Sequence, residues 1–381
     1  MTQSHNPAVA TDPRPKAPCM LFSGAQPNYC RFGAKTTGGE RMHNKSTAAA
    51  AVFILCAAFP SSAQAEDCRP QGIAASVQLL RSADGYVPVL PVEMNGQPKT
   101  MLLDTSGTLT EILPRTADSL GLPRQKGEFT VIDASRRYSS DYVNVPLKIG
   151  RISSKGVGMI ILPNDGDLGG GASADGVLAP DILSNYDIDI DFGTGRLNFI
   201  SQDHCFGRVI YWPATAVAAV PMQRIIHSWI AISVKLDGQP TLAIVDTSTA
   251  RSSMYSAIAE RVFGLKLGGP DTPSIGNMSD HPESVIYRHA FKMLEFDGIT
   301  VTNPDVQIVP DLLKNTKSRH SEAETGSLLT NSVLDEDSIQ MRIGMDVLRQ
   351  LHVYAAYKER ILYLTAAGQP SNGTAGNGSS P

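Results

Sequence analysis

The tripeptide Asp-Thr-Ser occurs twice in this chain, at Asp104-Thr105-Ser106 and Asp246-Thr247-Ser248, each time at the end of an apolar run (LLDTS, IVDTS). A single aspartate in such a place most often closes a turn or caps a helix. Two aspartates at equivalent places in a repeated unit admit another use. If the two copies pack about a twofold axis, both carboxylates arrive at that axis. Two close carboxylates resist ionising together, so they share one proton and titrate apart. The ionised member can then take a proton from water while the protonated member gives its own to a carbonyl oxygen. That is amide hydrolysis with no metal, no cofactor and no nucleophilic side chain.

The rest of the sequence offers no rival chemistry. The histidines His204, His227, His281, His289, His320 and His352 lack metal-ligand spacing. There is no G-x-S-x-G nucleophile elbow. The glycine-rich stretch Asp165–Gly176 lacks the Gly-Lys-Ser/Thr ending of a phosphate loop and reads as a loop. Asp187, Asp189 and Asp191 alternate in YDIDIDF, which sets them on one face of a strand. They read as a polar strand face rather than a cation site, because the second copy has HVYAAY there. Lysines and arginines are scattered and the formal net charge is −4, which argues against nucleic acid or an anionic membrane as partner.

The elements that must position the aspartates repeat with them. Residues 91–106 (PVEMNGQPKTMLLDTS) match 233–248 (SVKLDGQPTLAIVDTS) at an offset of 142. Each copy has Asn-Gly or Asp-Gly between apolar segments, the strongest short-range hairpin signal. A short helix follows in both, from Pro114 to Gly121-Leu122 and from Ser256 to Gly264-Leu265. Leu147–Pro163 matches Leu294–Pro310 at an offset of 147, and Asp181-Ile182-Leu183 matches Asp346-Val347-Leu348 at 165. Short Val/Ile/Leu runs punctuated by Gly and Pro predict an all-β protein with a few short helices. The predicted organisation is a first lobe over 66–205 and a second over 206–366, with a disordered tail at 367–381.

These segments resemble the retropepsin-like aspartic proteases, in particular the bacterial two-lobed exported kind. The resemblance rests on the apolar strand ending in Asp-Thr, the helix ending in Gly-Leu, and a closing hydrophobic-Gly-x-Asp-x-Leu motif. Ile343-Gly344-Met345-Asp346-Val347-Leu348 has that motif, and the first copy has Ala179 in place of its Gly. The resemblance implies two tandem acid-protease β-barrel lobes related by pseudo-twofold symmetry. It implies Asp104 and Asp246 as the catalytic pair, with Thr105 and Thr247 bracing the loops across the axis. Flaps are expected near Val131–Tyr142 and Ser274–Tyr287, and Asp181 and Asp346 are expected as helix caps. The family has Gly where Ser106 and Ser248 stand, a costly replacement if the backbone there needs a positive φ. The implied function is an aspartic endopeptidase acting as a monomer on peptides or unfolded protein. The alternative is an inactive relative that binds peptides or a protein partner in the same groove.

The N-terminal region reads as a leader. Arg41, His43 and Lys45 precede the apolar run Ala48–Phe59, and Ala63-Gln64-Ala65 supplies a cleavage site before Glu66. That is the layout of a signal peptide over 42–65, starting at Met42, and it predicts a periplasmic or secreted protein. The apolar run is short of the ~20 residues a membrane span needs, so no stable span is expected once the leader is removed. Residues 1–41, rich in Pro, Gly and Ser, read as a disordered over-extension. Beyond the leader two cysteines remain, Cys68 and Cys205, a number that fits one disulfide in an oxidising compartment, with two unpaired buried thiols as the alternative. The second copy carries a polar insert at 312–341.

Overall fold

The computed structural model describes residues 71–82, 87–133, 136–166, 168, 173–225, 228–278, 282–311 and 338–368. The leader, Cys68, nearly all of the insert and the tail beyond 368 lie outside the described residues.

Each copy of the repeat opens as a hairpin. Pro88–Met94 pairs antiparallel with Gln97–Leu103, and Ala231–Leu236 pairs antiparallel with Gln239–Val245. The turns are Asn95-Gly96, with φ of 47° and 77°, and Asp237-Gly238, with φ of 46° and 80°. Positive φ at both central residues defines the two-residue turn whose twist suits a hairpin. Beside the second hairpin strand lies a short parallel strand from the closing motif. It is Gly176–Leu178 in the first lobe and Met341–Ile343 in the second.

The sheets continue in the same order. Glu111–Ile112 and then Ile152–Ile161 follow in the first lobe, Ser253–Tyr255 and then Asp305–Val309 in the second. Each sheet ends in a hairpin, Gln125–Asp133 with Arg136–Ile149 in the first and Ser274–Asn277 with Val285–Ala290 in the second. The two expected flaps fall on these hairpins. The expected helices are Pro114–Ser119 and Ser256–Phe263, the second closed by Gly264 in the left-handed conformation.

A third sheet joins the lobes. Its six strands run in the order Ile73–Gln78, Arg196–Ile200, Asp187–Asp191, Leu351–Ala356, Ile361–Ala366, Ala218–Pro221. The central pair takes one strand from each half, with Ile188 opposite Ala355 and Asp191 opposite His352. One face of this pair, carrying Ile188, Ile190, Val353 and Ala355, packs into the main apolar core. No helix among the described residues is long and apolar enough to cross a membrane.

The opposite face is polar as expected but buried rather than turned to solvent. Asp187 and Asp189 are 0% and 1% exposed. His204 Nε2 sits 2.6 Å from Asp187 Oδ2, and Tyr357 donates its backbone N–H to Asp187 Oδ1 at 2.9 Å. Asp189 is hydrogen-bonded to His352 Nε2 and to the Tyr211 hydroxyl, and it accepts from Asn198 Nδ2 at 2.9 Å. Trp212 covers the group, stacked on the His352 ring at 3.9 Å. Burial pushes the Asp187 carboxyl upward against the His204 hydrogen bond. Removing one partner of a buried hydrogen bond leaves the other unsatisfied, at a cost of about 1–3 kcal/mol. His352→Ala is expected to lose about that much stability in urea unfolding, with an exposed-site control within about 0.5 kcal/mol of the parent.

Candidate active site

Both Asp-Thr-Ser loops leave the ends of the parallel-paired strands. Asp104 donates its N–H to the Leu178 carbonyl and Asp246 donates its own to the Ile343 carbonyl, each at 3.0 Å. The two loops then grip each other. Thr105 Oγ1 donates to the Val245 carbonyl and Thr247 Oγ1 to the Leu103 carbonyl, both at 2.6 Å. Each threonine oxygen in turn accepts the other loop's backbone N–H at 3.2 Å. Both threonines are fully buried. The expected brace is present, and it brings Asp104 and Asp246 close enough for the charge of one to act on the other.

Ser106 and Ser248 replace glycine without strain, since neither has a positive φ. Ser106 donates both its N–H (2.8 Å) and its hydroxyl (3.0 Å) to Asp104 Oδ1. Ser248 does the same to Asp246 Oδ1, at 3.0 and 2.7 Å. The serine thus adds a donor to the one the backbone supplies. Close approach of the chain to the carboxylate is left to the next residue in the first lobe. Gly107 N–H reaches Asp104 Oδ1 at 2.9 Å, and a Cβ there would lie 2.9 Å from Asp104 Oδ2 and 3.2 Å from Ala179 Cβ. Ala179 therefore fits because Gly107 carries no side chain. The second lobe reverses the arrangement, with Thr249 in the position of Gly107 and Gly344 in that of Ala179. A Cβ on Gly344 would lie 2.5 Å from the Arg251 carbonyl carbon.

Asp181 and Asp346 differ from expectation. The cap positions are Ala179 and Gly344, and the two aspartates act as tethers. Asp181 accepts the Thr110 hydroxyl (2.7 Å) and N–H (3.0 Å), and Asp346 accepts the Ser252 hydroxyl (2.7 Å) and N–H (2.9 Å). Each pins the chain leaving its Asp-Thr-Ser loop to the closing helix, Pro180–Leu183 or Met345–Leu348.

Two side chains at the site have no counterpart in the other lobe. Arg342 Nη1 lies 3.0 Å from Asp246 Oδ2 and 3.5 Å from Ser106 Oγ. Its side chain is 32% exposed while that of Asp246 is 1% exposed. Trp229, in the second lobe, donates Nε1–H to the Gly107 carbonyl at 2.8 Å. Sequence analysis singled out neither, because the first copy has Val177 and Val87 at the equivalent places and the comparison of copies passes over them. The available signal was a lone arginine inside the apolar run MRIGM.

Burial, then the neighbouring Asp246 charge, pushes the Asp104 carboxyl up to about 6, against the Ser106 and Gly107 hydrogen bonds. Of the two cysteines expected to pair, Cys205 is disulfide-bonded, and its partner lies outside the described residues. The family model for aspartyl protease matches residues 90–181 and 232–347, once in each lobe and over more than half of the chain. The chain belongs to the aspartyl protease family. Comparison with curated protein sequences gives no match.

A folded-state carboxyl raised above its unfolded value destabilises the fold as pH rises through that interval. For Asp104 the interval runs from 3.8 to about 6. Asp104→Asn is therefore expected to melt several degrees above the parent at pH 7, with the gap closing by pH 4, as differential scanning calorimetry would show. Thr247→Val should lower stability, by about 1–3 kcal/mol for each of the two buried groups it leaves unpaired, the Leu103 carbonyl and the Thr105 N–H.

Proposed function

We propose that the protein is an aspartic endopeptidase whose catalytic pair is Asp104 and Asp246. The reading is carried by the serine N–H and hydroxyl that both reach Oδ1 of the aspartate in each lobe, where the family has glycine. One carboxylate takes a proton from water as the water oxygen attacks the peptide carbonyl carbon. The other gives its proton to the carbonyl oxygen. An extended peptide lies across the site beneath the two flap hairpins, held by main-chain pairing, with side-chain pockets giving selectivity. Peptides and unfolded protein segments are the substrates.

The protein works as a monomer outside the cytoplasm, of the bacterial exported kind, with Cys68 as partner of the disulfide-bonded Cys205. A disulfide fits an oxidising compartment, as does the leader read at 42–65. One observation favours a second reading, a peptide-binding protein without catalysis: Asp246 Oδ2 already carries the Arg342 guanidinium.

The test is cleavage of denatured protein between pH 3 and 7 by the chain beginning at Glu66, beside Asp104→Asn and Asp246→Asn. The parent is expected to cleave, and each variant to lose activity about a hundredfold to ten-thousandfold, the range for removing one general acid or base. A folded parent that cleaves at no pH supports the binding reading instead.

A further inference from the structure

We propose that Arg342 breaks the equivalence of the aspartate pair, holding Asp246 as the carboxylate and leaving the shared proton on Asp104. The inference rests on the peptidase reading above and deepens it by assigning the two roles.

Val177 stands opposite Leu102 in the parallel pairing beside Asp104, and Arg342 stands opposite Ile244 in the parallel pairing beside Asp246. The two positions are equivalent, so the twofold relation that duplicates the aspartates does not duplicate the cation. Asp246 Oδ2 faces a guanidinium at 3.0 Å, and an opposite charge at that distance favours the ionised form. Asp104 has an apolar residue where Asp246 has the arginine. Its Oδ1 accepts from Ser106 N–H, Ser106 hydroxyl and Gly107 N–H. Its Oδ2 takes no donor among the described residues and is the oxygen left to carry a hydrogen.

Other charges do not offset this. The titratable or charged groups that act on Arg342 here are Asp246, Tyr255 and Asp104, and the aspartates face each other. Arg342 is fixed in place by the strand Met341–Ile343, which is paired on both sides, so its position does not depend on a flap closing.

The roles follow. Asp246 takes a proton from the attacking water, and the new C–O bond forms as Asp104 delivers its proton to the carbonyl oxygen, giving a gem-diol. As the C–N bond breaks, the amine nitrogen takes the proton held by Asp246. A hydroxyl proton of the diol returns to Asp104. The pair ends as it began, so no co-reactant is consumed.

Arg342 is a positioning residue in this scheme, and its removal has a signed effect on pH dependence. Catalysis needs Asp246 ionised, which sets the acid limb of the kcat/KM profile, and Asp104 protonated, which sets the alkaline limb. Arg342→Gln should move the acid limb to higher pH by about one to three units, while Arg342→Lys should restore it. Merely structural damage would lower the profile without moving its limbs. A second readout needs no activity: the carboxyl carbon of Asp246, followed by NMR in an Asp104→Asn background, should titrate higher in Arg342→Gln than with Arg342 present. Val177→Arg, with a cation placed beside Asp104 instead, should lower the Asp104 titration and draw the alkaline limb toward acid. An Asp246 carboxyl that titrates alike with Arg342 and with Gln would overturn the assignment. If the NMR shift appears but no variant and no parent cleaves, the assignment of charge stands and the peptidase reading fails.

Discussion

Everything at the centre of this molecule depends on two buried threonines. Thr105 and Thr247 each give a hydroxyl proton to a carbonyl of the opposite loop and each accept an N–H from it. The network closes only if the loops are related by a twofold rotation, because each partner supplies the same three atoms. Buried polar groups that lose such partners cost more than the bonds contribute when made, so the geometry tolerates little sliding. The aspartates, one residue before the threonines, have no freedom to separate. Their proximity is imposed by neutral hydrogen bonds rather than by attraction between them. Burial is the larger cause of the upward push on Asp104, and the brace sustains the part that comes from Asp246.

A symmetric backbone does not make a symmetric site. The lobes share strand order, turn geometry and tethers, yet among their differences around the aspartates are Gly107 against Thr249, Ala179 against Gly344, Val177 against Arg342, and Val87 against Trp229. At the first two, the glycine makes room in each lobe: Gly107 for the Asp104 and Ala179 side chains, Gly344 for the backbone of Arg251 and Ser252. The last two both act across the axis. Arg342 reaches toward Ser106 of the first lobe, and Trp229 bonds the Gly107 carbonyl. Of the two, Arg342 touches a carboxylate, and it touches only that of Asp246.

The hairpins, the helices, the flap segments and the Asp-Thr-Ser loops were legible because each is written twice. Asn95-Gly96 and Asp237-Gly238 need no tertiary knowledge to be read as turns, and the repeated aspartates need only the idea of a twofold. What the sequence hid was whatever one copy carries and the other lacks. Arg342 is one arginine among many until its strand is placed beside that of Asp246. The cap reading of Asp181 and Asp346 went wrong for a related reason. Both sit in the first turn of a helix and accept the N–H of the next residue, but neither is the cap residue, and each also binds Thr110 or Ser252, far away in sequence. The serine substitution looked costly because its φ was unknown.

The buried acids of the third sheet bear on the same symmetry. A register slip of one residue between Asp187–Asp191 and Leu351–Ala356 would carry Ile188 and Ile190 to the polar face and the acids into the apolar core. Asp189 meets His352 on the neighbouring strand, and Asp187 meets His204 and the backbone of Tyr357, so only one register satisfies both carboxylates. Buried pairs of this kind add little net stability over apolar packing, and the sheet has ample apolar contact on its other face. Their effect is selective: the central strands come from different halves, and this register sets how the halves meet.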